Sequence, residues 1–144
     1  MRSSLKMALA GRRFLIVEDR LPIAMQLELI LEDLDCVVAG LASTVTDALA
    51  MLRGAAVDAA LLDANVNGQS ILPVAKELER RAIPFVLVTG SPAKEADPAL
   101  LRNAPRLQKP FLERELVATL ATVFLGASPG RAGVDDSERQ SARL

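Results

Sequence analysis

The chain has 144 residues, enough for one domain of ordinary size. Hydrophobic residues make up 51% and charged residues 24%, the balance of a globular core, while aromatics supply only 3%. With a net charge of -1 and four Phe as its only rings, the chain is poorly equipped to bind a phosphate backbone or to stack bases, so no nucleic-acid partner is expected.

Single residue types narrow the chemistry further. There is no histidine, which excludes imidazole acid–base catalysis, His-ligated metals and a phosphohistidine carried by this chain. One cysteine, Cys36, allows neither an internal disulfide nor a Cys-only zinc site. No apolar run reaches the ~20 residues that a membrane helix needs, so no membrane partner is expected. Arg12 and Arg13 interrupt the N-terminal stretch before it can read as a signal peptide. The expectation is a cytoplasmic protein.

In chain order, residues 1–10 read as a flexible leader. Residues 14–17 (FLIV) form an apolar strand stopped by Glu18 and Asp19. Ala24, Leu27, Leu31 and Leu34 follow at helical spacing, with Pro22 tolerated in the first turn. Residues 36–39 read as a short buried strand, in which Cys36 is a small hydrophobe. Thr44, with Asp47 three residues on, marks a helix start, and Val45, Ala48, Leu49 and Leu52 line its face up to Gly54.

The alternation then repeats. Residues 57–62 form a strand ending at Asp63, residues 64–68 a polar turn, and Ile71, Val74 and Leu78 a helical face. Residues 85–88 are a fourth strand and 106–108 a fifth. The stretch between them, 91–103, has two prolines and weak periodicity, so any helix there is short and mobile. Leu112, Leu116, Leu120, Val123 and Phe124 stripe a closing helix, and residues 126–144 read as a flexible tail. The folded domain is thus 11–125, and neither end is expected to be an output domain.

Strands that are apolar throughout and alternate with helices predict an α/β fold, a parallel sheet covered on both faces. Right-handed crossovers favour the doubly wound order 2-1-3-4-5 at this length. Ligands in such folds bind beyond the carboxyl ends of the strands. Glu18, Asp19, Asp63, Thr89 and Lys109 all lie there. Three carboxylates in one pocket repel by roughly 4 kcal/mol per pair at ~4 Å and an effective dielectric near 20. That cluster calls for a cation, and an all-oxygen set suits Mg²⁺. A carboxylate can attack a phosphoryl group to give an acyl phosphate, while Mg²⁺ and the Lys109 ammonium neutralise its oxygens and Thr89 bonds a third.

The runs FLIVED, ALLDANVNG, LVTG and QKPF, in this order, resemble the response-regulator receiver domain, a CheY-like member of the flavodoxin-like folds, over about residues 12–125. The resemblance implies that Asp63 is the phosphoacceptor and that Asp19 binds Mg²⁺ directly and Glu18 through water. It implies further that Asn65 offers a backbone carbonyl to the metal, and that Thr89 and Lys109 are the switch hydroxyl and the phosphate-binding lysine. PFVLVTGS (84–91) is similar to the motif of the FAT GUY receivers, with Val88 and Ser91 as departures. Arg106 stands where most receivers carry an aromatic ring, so the usual coupled motion of hydroxyl and ring is not expected; ordering of a mobile segment between Thr89 and Lys109 on phosphorylation is expected instead. Glu18 replaces the commoner aspartate and keeps its charge.

The function this implies is a response regulator without an output domain, in a two-component or phosphorelay system. A histidine kinase or histidine phosphotransfer protein would phosphorylate it. The product would bind a downstream protein, through the face of the last two strand–helix units, or drain phosphate from a kinase as a sink. A monomer is expected, and not a metabolic enzyme. Two alternatives are an unphosphorylated pseudo-receiver acting as an interaction module, and a Mg²⁺-dependent aspartyl phosphatase or phosphotransferase. The second wants a carboxylate two residues after the nucleophile, where this chain has Asn65. A nucleotide site is excluded by the lack of a G-x-G-x-x-G or P-loop run.

Overall fold

A computed structural model describes residues 2–126. Five parallel strands, β1 (Arg13–Val17), β2 (Val37–Ala42), β3 (Ala59–Leu62), β6 (Phe85–Thr89) and β7 (Arg106–Gln108), form one sheet in the order β2-β1-β3-β6-β7. A two-stranded hairpin, β4 (Asn65–Val66) with β5 (Gln69–Ser70), stands outside it. Set aside the hairpin, and this is the doubly wound order that the alternation predicts. The helices are α1 (Arg2–Leu9), α2 (Leu21–Asp33), α3 (Val45–Gly54), α4 (Leu72–Arg80), α5 (Ala99–Arg102) and α6 (Glu113–Leu125).

The continuous apolar runs are explained by burial on both faces. Phe14, Ile16, Ala59, Leu61, Val86 and Val88 enter one core with α1, α2 and α6. Their alternates Leu15, Val17, Ala60, Leu62 and Leu87 enter the other with α3, α4 and α5. Thr44 caps α3 as its spacing predicts, its Oγ1 accepting from Asp47 N at 3.0 Å. At the start of α6, Glu115 Oε1 accepts from Leu112 N at 2.7 Å.

Several expectations need correction. The flexible leader is instead helix α1 across residues 2–9, with Leu5 and Leu9 fully buried at i, i+4 spacing. Arg2 pairs with both Asp33 of α2 and Glu113 of α6, which fastens the helix to two neighbours. Gly11, at φ +77°, then turns the chain into β1. Residues 36–39 are not a buried strand: β2 begins at Val37, and Val37 and Leu41 are exposed because β2 is a sheet edge. Cys36 precedes β2 and is buried, and burial pushes its thiol up to about 11, where it stays protonated and inert. The polar turn at 64–68 is largely the β4–β5 hairpin, its corner made by Asn67 and Gly68 at φ +51° and +80°. Between β6 and β7 only α5 is regular, so the helix there is short as expected. Of the expected tail, residues 127–144 lie outside the described residues.

Candidate functional site

The sheet's own ladders deliver the site. Val17 and Leu62 are in register, and Asp63 N donates to Val17 O at 3.0 Å, so Glu18 and Asp63 leave adjacent strand ends together. On the other side, Lys109 N donates to Thr89 O at 2.9 Å, which extends the β6–β7 pairing one step past β7. Backbone hydrogen bonding thus brings together, at one end of the sheet, residues separated by up to 91 positions.

The side chains then pair. Lys109 Nζ donates to Glu18 Oε1 at 2.7 Å and to Asp63 Oδ2 at 2.9 Å. Glu18 is only 4% exposed, and burial, opposed by the bonds from Lys109 and from Arg20 N, raises its pKa above the usual carboxylate range. Burial also pulls the Lys109 ammonium down, but the bonds to Glu18 and Asp63 outweigh it and leave its pKa raised. The ammonium is therefore charged at neutral pH and counters the carboxylates around it.

Carboxylate oxygens of Glu18, Asp19 and Asp63 lie within 4.8 Å of one another. This all-oxygen set fits a hard divalent cation such as Mg²⁺. The oxygens are not equally available. Both oxygens of Glu18 are engaged, Oε1 by Lys109 and Oε2 by Arg20 N at 3.1 Å. Asp19 commits only Oδ2, which accepts from Asn67 N at 2.8 Å. Asp63 accepts from Lys109 at Oδ2 and, at a longer 3.4 Å, from Asn65 N at Oδ1, so Asp19 Oδ1 is the carboxylate oxygen of the three residues most open to a cation. Asn65 and Thr89 line the same 540 Å³ cavity as Asp19, Asp63 and Lys109. Thr89 is buried, and its Oγ1 accepts from Ser91 N at 3.3 Å.

All six predicted site residues converge here. Asn67 was not among them, although its amide orients Asp19; the Asn-Gly pair between two short polar-apolar runs is the signal that marks it. The exposed stripe of Leu21, Met25 and Leu29 on α2 was also missed, although its i, i+4, i+8 spacing was visible beside the buried face.

The sequence profile described as response regulator receiver domain matches residues 14–121. The chain belongs to this family. The receiver superposes on the solution structure of SdrG from Sphingomonas melonis Fr1 with 42% identity and a TM-score of 0.69, covering 81% of this chain and 97% of that one. PhyR from Brucella abortus matches with 25% identity and a TM-score of 0.72, over 97% of this chain but 55% of that one. A CheY-like receiver domain from Methylobacillus flagellatus matches with 28% identity and a TM-score of 0.64, over 79% of this chain and 99% of its own. No curated protein sequence matches the receiver. No helix among the described residues is long and apolar enough to cross a membrane.

Proposed function

We propose that this receiver is a phosphorylation switch in which Asp63 accepts a phosphoryl group from a phosphohistidine of a partner kinase or phosphotransfer protein. One observation carries the reading: the Lys109 ammonium lies 2.9 Å from Asp63, inside a cluster of three carboxylates. An Asp63 oxygen attacks phosphorus, the P–N bond to the partner's imidazole breaks, and an acyl phosphate P–O bond forms. The released imidazole takes up a proton. Lys109 bonds one equatorial oxygen and Thr89 another, while Asp19 and Asp63, with the Asn65 carbonyl, would hold Mg²⁺. Bound there, Mg²⁺ supplies the charge neutralisation that this transfer requires.

The chain contains no histidine, so the phosphoryl group arrives from outside. A groove floored by Leu21, Met25 and Leu29, which are 63%, 50% and 65% exposed, shares Gln26 with the acidic cavity. That continuity supports its use as the docking surface for the phosphodonor protein. SdrG, 41% identical in a second structure, has a BeF3-activated conformation, which accords with activation at an aspartyl phosphate. The PFVLVTGS run supports placement among the FAT GUY receivers. The Asn65 amide is too weak an acid to protonate a leaving group, which speaks against a phosphatase.

The test is intact mass after incubation with a small phosphodonor, with and without Mg²⁺, beside Asp63→Asn. The expected result is one Mg²⁺-dependent phosphoryl adduct in the wild type and none in the variant. An adduct that persists in Asp63→Asn moves the acceptor elsewhere. No adduct from either a small donor or a phosphorylated histidine protein makes the chain a pseudo-receiver.

A further inference from the structure

Arg106 opens β7 in register with Leu87 of β6, itself opposite Leu62 of β3. Residues opposite one another share a sheet face, so the guanidinium enters the layer occupied by Leu62, Leu87 and Leu101. Its hydrogen bonding there is incomplete. Nη2 donates to Leu101 O at 3.2 Å, but Nε and Nη1 are buried with no partner. A buried donor left unmet is costly, and a charged one more so.

Beside those donors lies a cavity of 250 Å³ lined by Asn65, Ser91, Lys94, Asp97, Leu101 and Arg106 among others. It shares Asn65 and Ser91 with the acidic cavity, so one wall separates it from Asp63. A complementary charge is already on its rim. The Asp97 carboxylate accepts from Lys94 N at 2.8 Å through Oδ2, and no ion pair among the described residues joins it to Arg106. Asp97 belongs to the segment 91–98, which has neither helix nor strand. The first amide of that segment, Ser91 N, is held by the Thr89 hydroxyl.

We propose that Arg106 is a positioning residue of the switch, the receptor for the Asp97 carboxylate when the segment 91–98 closes over this cavity. The inference rests on Asp63 being phosphorylated. A phosphoryl group there draws the Thr89 hydroxyl toward itself and so releases Ser91 N, the anchor at the start of the segment, while Arg102, bonded to Glu95 O and Asp97 O, remains the pivot at its far end. The freed segment moves inward, Asp97 meets a free guanidinium donor, and the charge is paired in a sheltered place. Nε and Nη1 lie on different edges of the guanidinium, so one carboxylate satisfies one of them and a carbonyl of the closing segment satisfies the other. An aromatic ring at position 106 would couple by filling volume, whereas an arginine couples by charge and hydrogen bonding, and its effect follows the charge of Asp97.

The experiment uses the full isotope-labelled chain with Mg²⁺ and beryllofluoride as an unhydrolysed phosphoryl mimic. It reads the Arg106 Nε–H resonance and the hydrogen exchange of amides 92–98. Beryllofluoride should shift the Nε–H signal downfield and slow exchange across the segment by roughly tenfold. Asp97→Asn should bind beryllofluoride at Asp63, seen in the Asn65 and Lys109 amides, yet lose most of that protection. Arg106→Glu alone should lose it too, and the charge-swapped pair Asp97→Arg with Arg106→Glu should regain it. Binding at Asp63 with no change at Arg106, or full protection in Asp97→Asn, overturns the positioning role and leaves the phosphoacceptor reading intact. No response at Asn65, Thr89 or Lys109 overturns both.

Discussion

At the scale of single residues, the site is organised by a shortage of positive charge. Three carboxylates share one pocket, and of the two cations lining it, Arg20 and Lys109, only the Lys109 ammonium pairs with them among the described residues, at 2.7 Å from Glu18 and 2.9 Å from Asp63. Glu18 is almost wholly buried, so its charge depends on that ammonium in the absence of a cation. Breaking a buried pair from one side costs about 3–5 kcal/mol, since the remaining charge is left without compensation. Lys109→Met should therefore lose about that much stability in metal-free urea unfolding. Mg²⁺ should restore part of it, because the cation takes over the neutralisation. A loss under about 1 kcal/mol, with or without Mg²⁺, would show that Glu18 is already protonated in the folded protein and that the pair is not what holds the pocket together.

At the scale of elements, the N-terminal helix is the feature that adds most to the fold that the alternating pattern predicts. Leu5 and Leu9 of α1 insert into the core built by α2, α6 and one sheet face, and Arg2 bridges Asp33 and Glu113 from outside. Short helices are marginal alone, so α1 owes its existence to this packing rather than to propensity. Leu9→Ala should cost about 2–5 kcal/mol by the loss of buried surface and the cavity left behind. Met7→Ala, on the 82%-exposed side of the same helix, should stay within about 0.5 kcal/mol of wild type. Equal effects of the two substitutions in thermal unfolding would mean that α1 is not docked as described. The two-leucine pattern was present in the sequence. It spans only two turns and is followed by two arginines, too little periodicity to separate a docked helix from a loose leader.

At the scale of the whole molecule, what was legible and what was not divide along the range of the interaction. Each central strand announced itself because burial on both faces forces an unbroken apolar run, as in residues 14–17 and 85–88. The ends of β1, β3 and β7 followed from the charged residue after each run, and the parallel topology then placed Glu18, Asp63 and Lys109 together. β2 was misjudged because it runs on through Gly40 to Ala42 and, having a strand neighbour on one side only, leaves Val37 and Leu41 exposed. The Asn67–Asp19 bond and the unmet donors of Arg106 were out of reach, since each depends on how distant segments meet. The same long-range assembly makes the carboxylate cluster a folding problem as well as a site. Without a cation its mutual repulsion opposes the folded state, and a ligand that binds only the folded state stabilises it by mass action, by about 2.7 kcal/mol at about 100 times its Kd. For a domain of this size that is a rise in Tm on the order of 10 °C. Asp19→Asn separates the two effects, because the amide oxygen can still accept from Asn67 N while the charge is gone. In chelator the variant should melt no lower than wild type, having lost one repelling charge. In saturating Mg²⁺ it should melt lower, having lost a direct ligand. The two melting curves therefore change order with Mg²⁺, and an equal Mg²⁺ response in both proteins would remove Asp19 from the metal site.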